Sequence, residues 1–191
     1  MDNYYEKNAK KYIEETIDCD MKMQYDFFLK YMPNKGKILD IGFGSGRDMM
    51  YFASIGYDVE GIDPTLSFVN HMKEKGYKVY PLTAEELKVE NEFEGIWACA
   101  SLLHVNRADL LDTLNNCKRA LKVNGIMYCS FKYGNGEIIN NERYFNYLNE
   151  ESLKEFSNND SFKIIDIKKS NDVRKDRSCE QWINIIFKRM Q

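Results

Sequence analysis

Residues 37–63, KILDIGFGSGRDMMYFASIGYDVEGID, leave a chain few ways to fold. Lys37–Ile41 is short and rich in large apolar residues, the composition of a parallel strand buried on both faces. Gly42, Gly44 and Gly46 follow at alternate positions. Without Cβ atoms the backbone can turn sharply there and lie close to a ligand. Met49, Met50, Phe52 and Ala53 then have the spacing of a helix packed on a sheet. After Gly56 a second strand is predicted over 57–62, and it ends on Asp63. A strand, a glycine turn, a helix and a strand ending in a carboxylate make half of a nucleotide-type site. The turn holds one end of a ligand, and Asp63 can accept hydrogen bonds from the two hydroxyls of a ribose.

Glycine spacing separates the two kinds of protein built this way. The dinucleotide fingerprint is GxGxxG, and its third glycine would fall on Arg47. Here the pattern is GxGxG with Asp40 before it. The string Leu39-Asp40-Ile41-Gly42-Phe43-Gly44-Ser45-Gly46 resembles the first motif of class I S-adenosylmethionine-dependent methyltransferases. A pyrophosphate seeks a helix N-terminus, whereas S-adenosylmethionine carries an amino group, a carboxylate and a sulfonium but no phosphate. The resemblance thus places Asp40 near the amino group and Gly42, Gly44, Gly46 and Asp63 around the cofactor.

Length and composition fit that expectation. A chain of 191 residues suits one domain with a substantial core. The net charge of −3 gives no broad attraction to phosphate backbones, so a nucleic-acid partner is not expected. No apolar run approaches the length of a membrane span. The N-terminus MDNYYEKNAKKYIEE is too polar for a signal peptide, so a cytoplasmic location is expected. The five cysteines are odd in number and never spaced as CxxC, which points to neither a disulfide framework nor a metal site.

Along the chain, residues 1–36 read as two helices, with Tyr5, Ala9, Tyr12 and Ile13 on one face and Tyr25, Phe28, Leu29 and Met32 on another. Residues 37–188 read as the core, and the whole as a single domain. Strands are predicted at 37–41, 57–62, 77–80, 93–100, 126–131, 162–167 and 181–187. Helices are predicted at 66–75, 107–121 and from Glu151 to Phe156. Asn124-Gly125 should close the helix at 107–121. The resemblance implies a Rossmann-like α/β fold whose seven strands run 3-2-1-4-5-7-6, strand 7 antiparallel, with the N-terminal helices capping the cofactor side. The loops resemble those of small bacterial methyltransferases grouped loosely with tellurite-resistance methyltransferases.

The resemblance implies further site residues at the strand ends. After strand three, Thr83 can offer a hydroxyl and Ala84 its backbone to the adenine. Relatives often carry Asp near Thr83. Glu85 supplies the carboxylate instead, or is a solvated helix-start residue. Ser101 sits at the carboxyl end of strand four, where open α/β sheets bind ligands. His104 beside it is a candidate general base; the other reading is a helix-start residue bonded to backbone. Beyond strand five, Tyr133 is a second candidate base, and Lys132 and Arg143, with Arg174 and Arg177, would suit an anionic small acceptor.

The expected activity is methyl transfer from S-adenosylmethionine to a small molecule by in-line displacement. The same chemistry on protein or nucleic acid is one alternative, and the absence of an Asn-Pro-Pro-Tyr-type motif after strand four argues against bases. A non-catalytic S-adenosylmethionine-binding module is the other. A dinucleotide-dependent oxidoreductase is disfavoured by the glycine spacing.

Overall fold

A computed structural model describes residues 2–157, 161–174 and 177–191 of the chain. Two helices, α1 (Asp2–Thr16) and α2 (Lys22–Leu29), precede the first strand. Then come β1 (Lys37–Ile41), α3 (Arg47–Ser54), β2 (Asp58–Ile62), α4 (Leu66–Glu74), β3 (Lys78–Tyr80) and β4 (Phe93–Ala98). A 3-10 turn (Leu102–His104), α5 (Arg107–Ala120), β5 (Leu121–Lys132), a hairpin of β6 (Gly136–Asn140) and β7 (Arg143–Tyr147), α6 (Lys154–Ser157), β8 (Phe162–Asn171) and β9 (Gln181–Arg189) complete the order.

Seven strands form one sheet in the order β3-β2-β1-β4-β5-β9-β8. The first five pair in parallel, and β9 runs antiparallel to both β5 and β8. With the separate β6–β7 hairpin set aside, this is the expected 3-2-1-4-5-7-6 arrangement with an antiparallel final strand. Side chains alternate across a strand, and the alternation sorts the core into two layers. Ile96, Ala98, Met127, Cys129, Ile183 and Ile185 face α5 through Leu110, Leu114 and Cys117. Trp97, Tyr128 and Ile186 face the other way, onto Phe28 of α2, Phe52 of α3 and Phe68 of α4. At the centre of this second layer Trp97 stacks on Tyr128 with ring centroids 4.0 Å apart. Such a pair contributes roughly 0.5–1.5 kcal/mol beyond its area burial.

Two elements depart from the sequence reading. Asn124-Gly125 does not close α5; β5 begins at Leu121, immediately after the helix. Phe93 pairs with Leu121 but Gly95 pairs with Ile126, so the intervening residues bulge out, with Asn124 at φ +66°. No glycine cap is needed, because the carbonyls of the last turn find tertiary donors. Arg119 accepts from the Asn91 N–H and Ala120 from the Glu92 N–H, each at 2.9 Å, and the Arg189 guanidinium donates to Lys118 and Arg119. The second departure is the β6–β7 hairpin, where the sequence suggests only a loop at Arg143-Tyr144-Phe145. Its turn, Asn141-Glu142, has both residues at positive φ (50° and 61°), the twist that suits a two-residue hairpin. The usual Asn-Gly signal is missing. Among the described residues no helix is long and apolar enough to cross a membrane.

Candidate functional site

The glycine turn rises from the carboxyl end of β1 with Gly42, Gly44 and Gly46 all at positive φ (69°, 53° and 77°). What lies against each differs. A Cβ on Gly42 would stand 2.4 Å from the Ser101 Cβ, and one on Gly44 2.9 Å from the Tyr12 ring. A Cβ on Gly46 would meet the Met72 sulfur at 2.1 Å, so this glycine admits α4 rather than a ligand. Asp63 is buried at the end of β2. Its Oδ2 accepts the Gly44 N–H at 3.0 Å and its Oδ1 the Thr65 N–H at 2.8 Å. Burial pushes its pKa above the usual carboxylate range, and these two N–H groups oppose the rise.

A cavity of about 140 Å³ opens over this turn. Gly42, Gly44 and Asp63 form one wall, Thr83, Ala84 and Glu85 another, and Ser101 and His104 a third. Tyr5 and Tyr12 of α1 line it from above. Their i, i+7 spacing is visible in the sequence, but what they cover is set by α1 docking on α4. Tyr12 packs against Phe68 with centroids 5.4 Å apart, and Glu6 accepts from the Ser67 hydroxyl. Two polar atoms beside the turn are buried without a hydrogen-bond partner: Ser101 Oγ, within the cavity wall, and Asp40 Oδ2, at the end of β1. Asp40 is pushed well above the usual carboxylate range by burial and by the neighbouring Asp48 charge.

His104 is held between two segments. Nδ1 lies 2.7 Å from the Tyr144 carbonyl oxygen, which can only accept, so Nδ1 carries the proton. Nε2 therefore accepts from the Tyr5 hydroxyl, 2.8 Å away. Burial lowers the His104 pKa to about 4, and the Arg143 and Lys132 charges add to that. At neutral pH the imidazole is uncharged, and its one acceptor nitrogen faces Tyr5.

Tyr133, Lys132 and Arg174 do not line this cavity, and Arg143 lies over the ring of its Tyr5. The Tyr133 hydroxyl donates to Glu150 and accepts from Lys169. Lys132 pairs with Glu180 at 2.7 Å, and Arg174 makes two bonds to Asp172. The Arg143 guanidinium lies 4.2 Å over the Tyr4 ring and 5.1 Å over Phe145. Lys132 and Arg174 are matched by carboxylates, whereas Arg143 lies over aromatic faces with its Nε buried and without a hydrogen-bond partner.

Beside the first cavity lies a second, of about 90 Å³, and the two share Tyr12 and Ala100. Between it and the core sits an ion-paired cluster absent from the sequence reading. Arg47 donates to Asp48 from Nε (2.7 Å) and Nη2 (2.9 Å). Asp48 also accepts from Tyr25 (2.5 Å) and from Trp97 Nε1 (2.8 Å). Burial alone would raise the Asp48 pKa; Arg47 and these bonds more than reverse it and hold it below the usual value. Among the described residues no group of His, Cys, Asp and Glu is placed to hold a metal ion.

Residues 38–125 match the methyltransferase domain family. Over 124 residues the chain is 27% identical to a putative methyltransferase, YqeM, of Bacillus subtilis, covering 56% of this chain and 50% of that one. It is 29% identical over 97 residues to a probable S-adenosyl-L-methionine-dependent methyltransferase, TehB, of Haemophilus influenzae, covering 47% and 33%. The matches thus span about half of one curated relative and a third of the other. Among solved structures, the 1,6-didemethyltoxoflavin-N1-methyltransferase of Burkholderia thailandensis, crystallised with 1,6-didemethyltoxoflavin and S-adenosylhomocysteine, superposes with a TM-score of 0.79 at 18% identity, covering 99% and 85% of the two chains. A methyltransferase of Methanosarcina mazei gives 0.74 at 17%, covering 87% and 98%. The [4+2]-cyclase SpnF also gives 0.74, at 16% and covering 99% and 95%, so this fold also houses other chemistry.

Proposed function

We propose that the chain, whose residues 38–125 match the methyltransferase domain family, is a class I methyltransferase that transfers a methyl group from S-adenosylmethionine to a small-molecule acceptor. The observation that carries this reading is the cavity walled by Gly42, Gly44 and Asp63 over the glycine turn, where the Ser101 hydroxyl is buried without a partner. A built site leaves such atoms for its ligand, since an unanswered buried hydroxyl costs about 1–3 kcal/mol. Asp63 would hold the ribose hydroxyls, Thr83, Ala84 and Glu85 the adenine, and Ser101, with Asp40 close by, the amino-acid end. When bound, S-adenosylmethionine supplies an electrophilic methyl carbon on a sulfonium.

The protein's own part is to bind, align and keep water out. Alignment of two reactants in one site is worth roughly 7–11 kcal/mol, and a base is needed only where the acceptor keeps its proton until it attacks the methyl carbon. Tyr5 and Tyr12 form the roof that excludes water. His104 serves as a positioning residue: it accepts a hydrogen bond from the Tyr5 hydroxyl and ties α1 to β7 through the Tyr144 carbonyl. A small acceptor suits a cavity roofed by a helix better than a polymer would.

Titration calorimetry tests the reading. S-adenosylmethionine and S-adenosylhomocysteine should both bind, NAD should not, and Gly44→Val should bind neither sulfur ligand while keeping the wild-type circular dichroism spectrum. Absence of binding to the wild-type chain, or tight binding by Gly44→Val, would sink it.

A further inference from the structure

We propose that the second cavity is a binding site for a small, uncharged molecule bearing an amide-type N–H, and that it, rather than the basic loop residues, receives the methyl acceptor. This inference rests on the methyltransferase reading of the first cavity, because Ala100 and Tyr12 belong to both walls and bring an occupant of the second beside an occupant of the first.

Charge decides the class of ligand. Among the described residues, the two cations that line the second cavity, Arg47 and Arg174, are each bound by a carboxylate through two hydrogen bonds. Arg47 spends a third donor on the Thr16 carbonyl, and Asp172 also accepts from Trp182 Nε1 at 3.1 Å. Among the described residues no cationic charge of this wall is left over for an anion, which would also face the Asp172 carboxylate. Binding one would mean breaking a matched pair.

Hydrogen bonding then narrows the class. Most polar groups in the wall are already committed. Tyr128 donates to Asn184 Oδ1 at 2.7 Å, Asn184 donates to the Lys168 carbonyl and to Ser170, and Ser130 accepts the Ala100 N–H. Among the described residues of this wall, the fully buried side-chain atom without a partner is Oε1 of Gln24 of α2, a residue only 5% exposed. A carboxamide oxygen can only accept, so the molecule that completes this wall presents an N–H or O–H to it. An amide or lactam does so and can also accept from the Gln24 Nε2. Trp182 offers an apolar ring on another wall of the same cavity.

Nicotinamide and nicotinate, which share a ring and differ in amide against carboxylate, are suitable probes. Saturation-transfer NMR titrations of each would use the full chain, with and without S-adenosylhomocysteine. Nicotinamide should bind at least about tenfold more tightly than nicotinate. Gln24→Leu should weaken nicotinamide binding at least about fivefold while the S-adenosylhomocysteine affinity stays within about twofold. Replacing an unpartnered buried amide by an apolar group of similar shape should leave the fold intact; Gln24→Met is the second variant, read the same way. Equal binding of the two probes, no binding of either, or binding indifferent to both substitutions overturns the proposal. A water satisfying Gln24 would give that indifferent result. If nicotinamide preference persists but S-adenosylhomocysteine never binds, the methyltransferase reading fails and the cavity assignment stands.

Discussion

On the glycine-turn side of the carboxyl end of β4, buried polar atoms such as Ser101 Oγ wait without partners; on the β9 side the charges are matched pair by pair. The first flank is made largely by backbone. Positive-φ glycines and N–H groups fixed on Asp63 define what can approach it. The second flank is made by side chains brought from α2, α3, β5, β9 and the segment after β8. One flank therefore has a shape dictated by a short motif, and the other a chemistry dictated by assembly.

The largest expected effect breaks the link between the flanks. Asp48→Ala would leave the Arg47 guanidinium without its carboxylate and the Tyr25 and Trp97 donors without an acceptor. The expected loss is about 3–5 kcal/mol of folding stability, as for other buried pairs broken on one side. Urea unfolding followed by tryptophan fluorescence reads it. A loss below about 1 kcal/mol would show that the two flanks are built independently.

Next in size is the pH dependence of the roof. His104 has a folded pKa of about 4 against an ordinary 6.5. Between those values the unfolded chain holds a proton that the folded one does not, so stability rises with pH across that window. The contribution is complete above pH 6.5 and falls away as pH drops towards 4, by about 3 kcal/mol in total. His104→Gln should flatten the stability–pH curve by that amount relative to wild type. Identical slopes in the two proteins would mean that His104 is not buried under α1.

The smallest effect isolates the first flank. Asp63→Asn keeps an acceptor for one backbone N–H and removes the charge, so S-adenosylhomocysteine binding should weaken by about 1–3 kcal/mol in calorimetry. Folding stability at neutral pH should hold or rise, because burial already disfavours this charge. Loss of stability with unchanged binding would make Asp63 a scaffold of the turn alone.

The unequal readability of the two flanks follows from the same physics. The strand–glycine–helix–strand pattern at residues 37–63 is local, and so are the apolar runs of β4 and β9. Their order in the sheet followed from the family resemblance. Gly46 shows how far a motif reaches: it has the expected positive φ, but Met72 of α4 fills the space beside it. The β6–β7 hairpin was not legible because its turn lacks glycine, and the end of α5 was not because distant donors satisfy its carbonyls.

The sequence by itself determined the fold class and the glycine turn, with Asp63 at the end of the second strand, since each depends on residues within a few positions of one another. Only the tertiary structure decided that Arg47 faces Asp48 rather than a ligand, that His104 is neutral and held by Tyr5 and Tyr144, and that Gln24 is the unanswered acceptor in the second cavity. Those outcomes turn on which charges and donors meet across long stretches of chain. A buried polar group takes its character from the partners that packing provides.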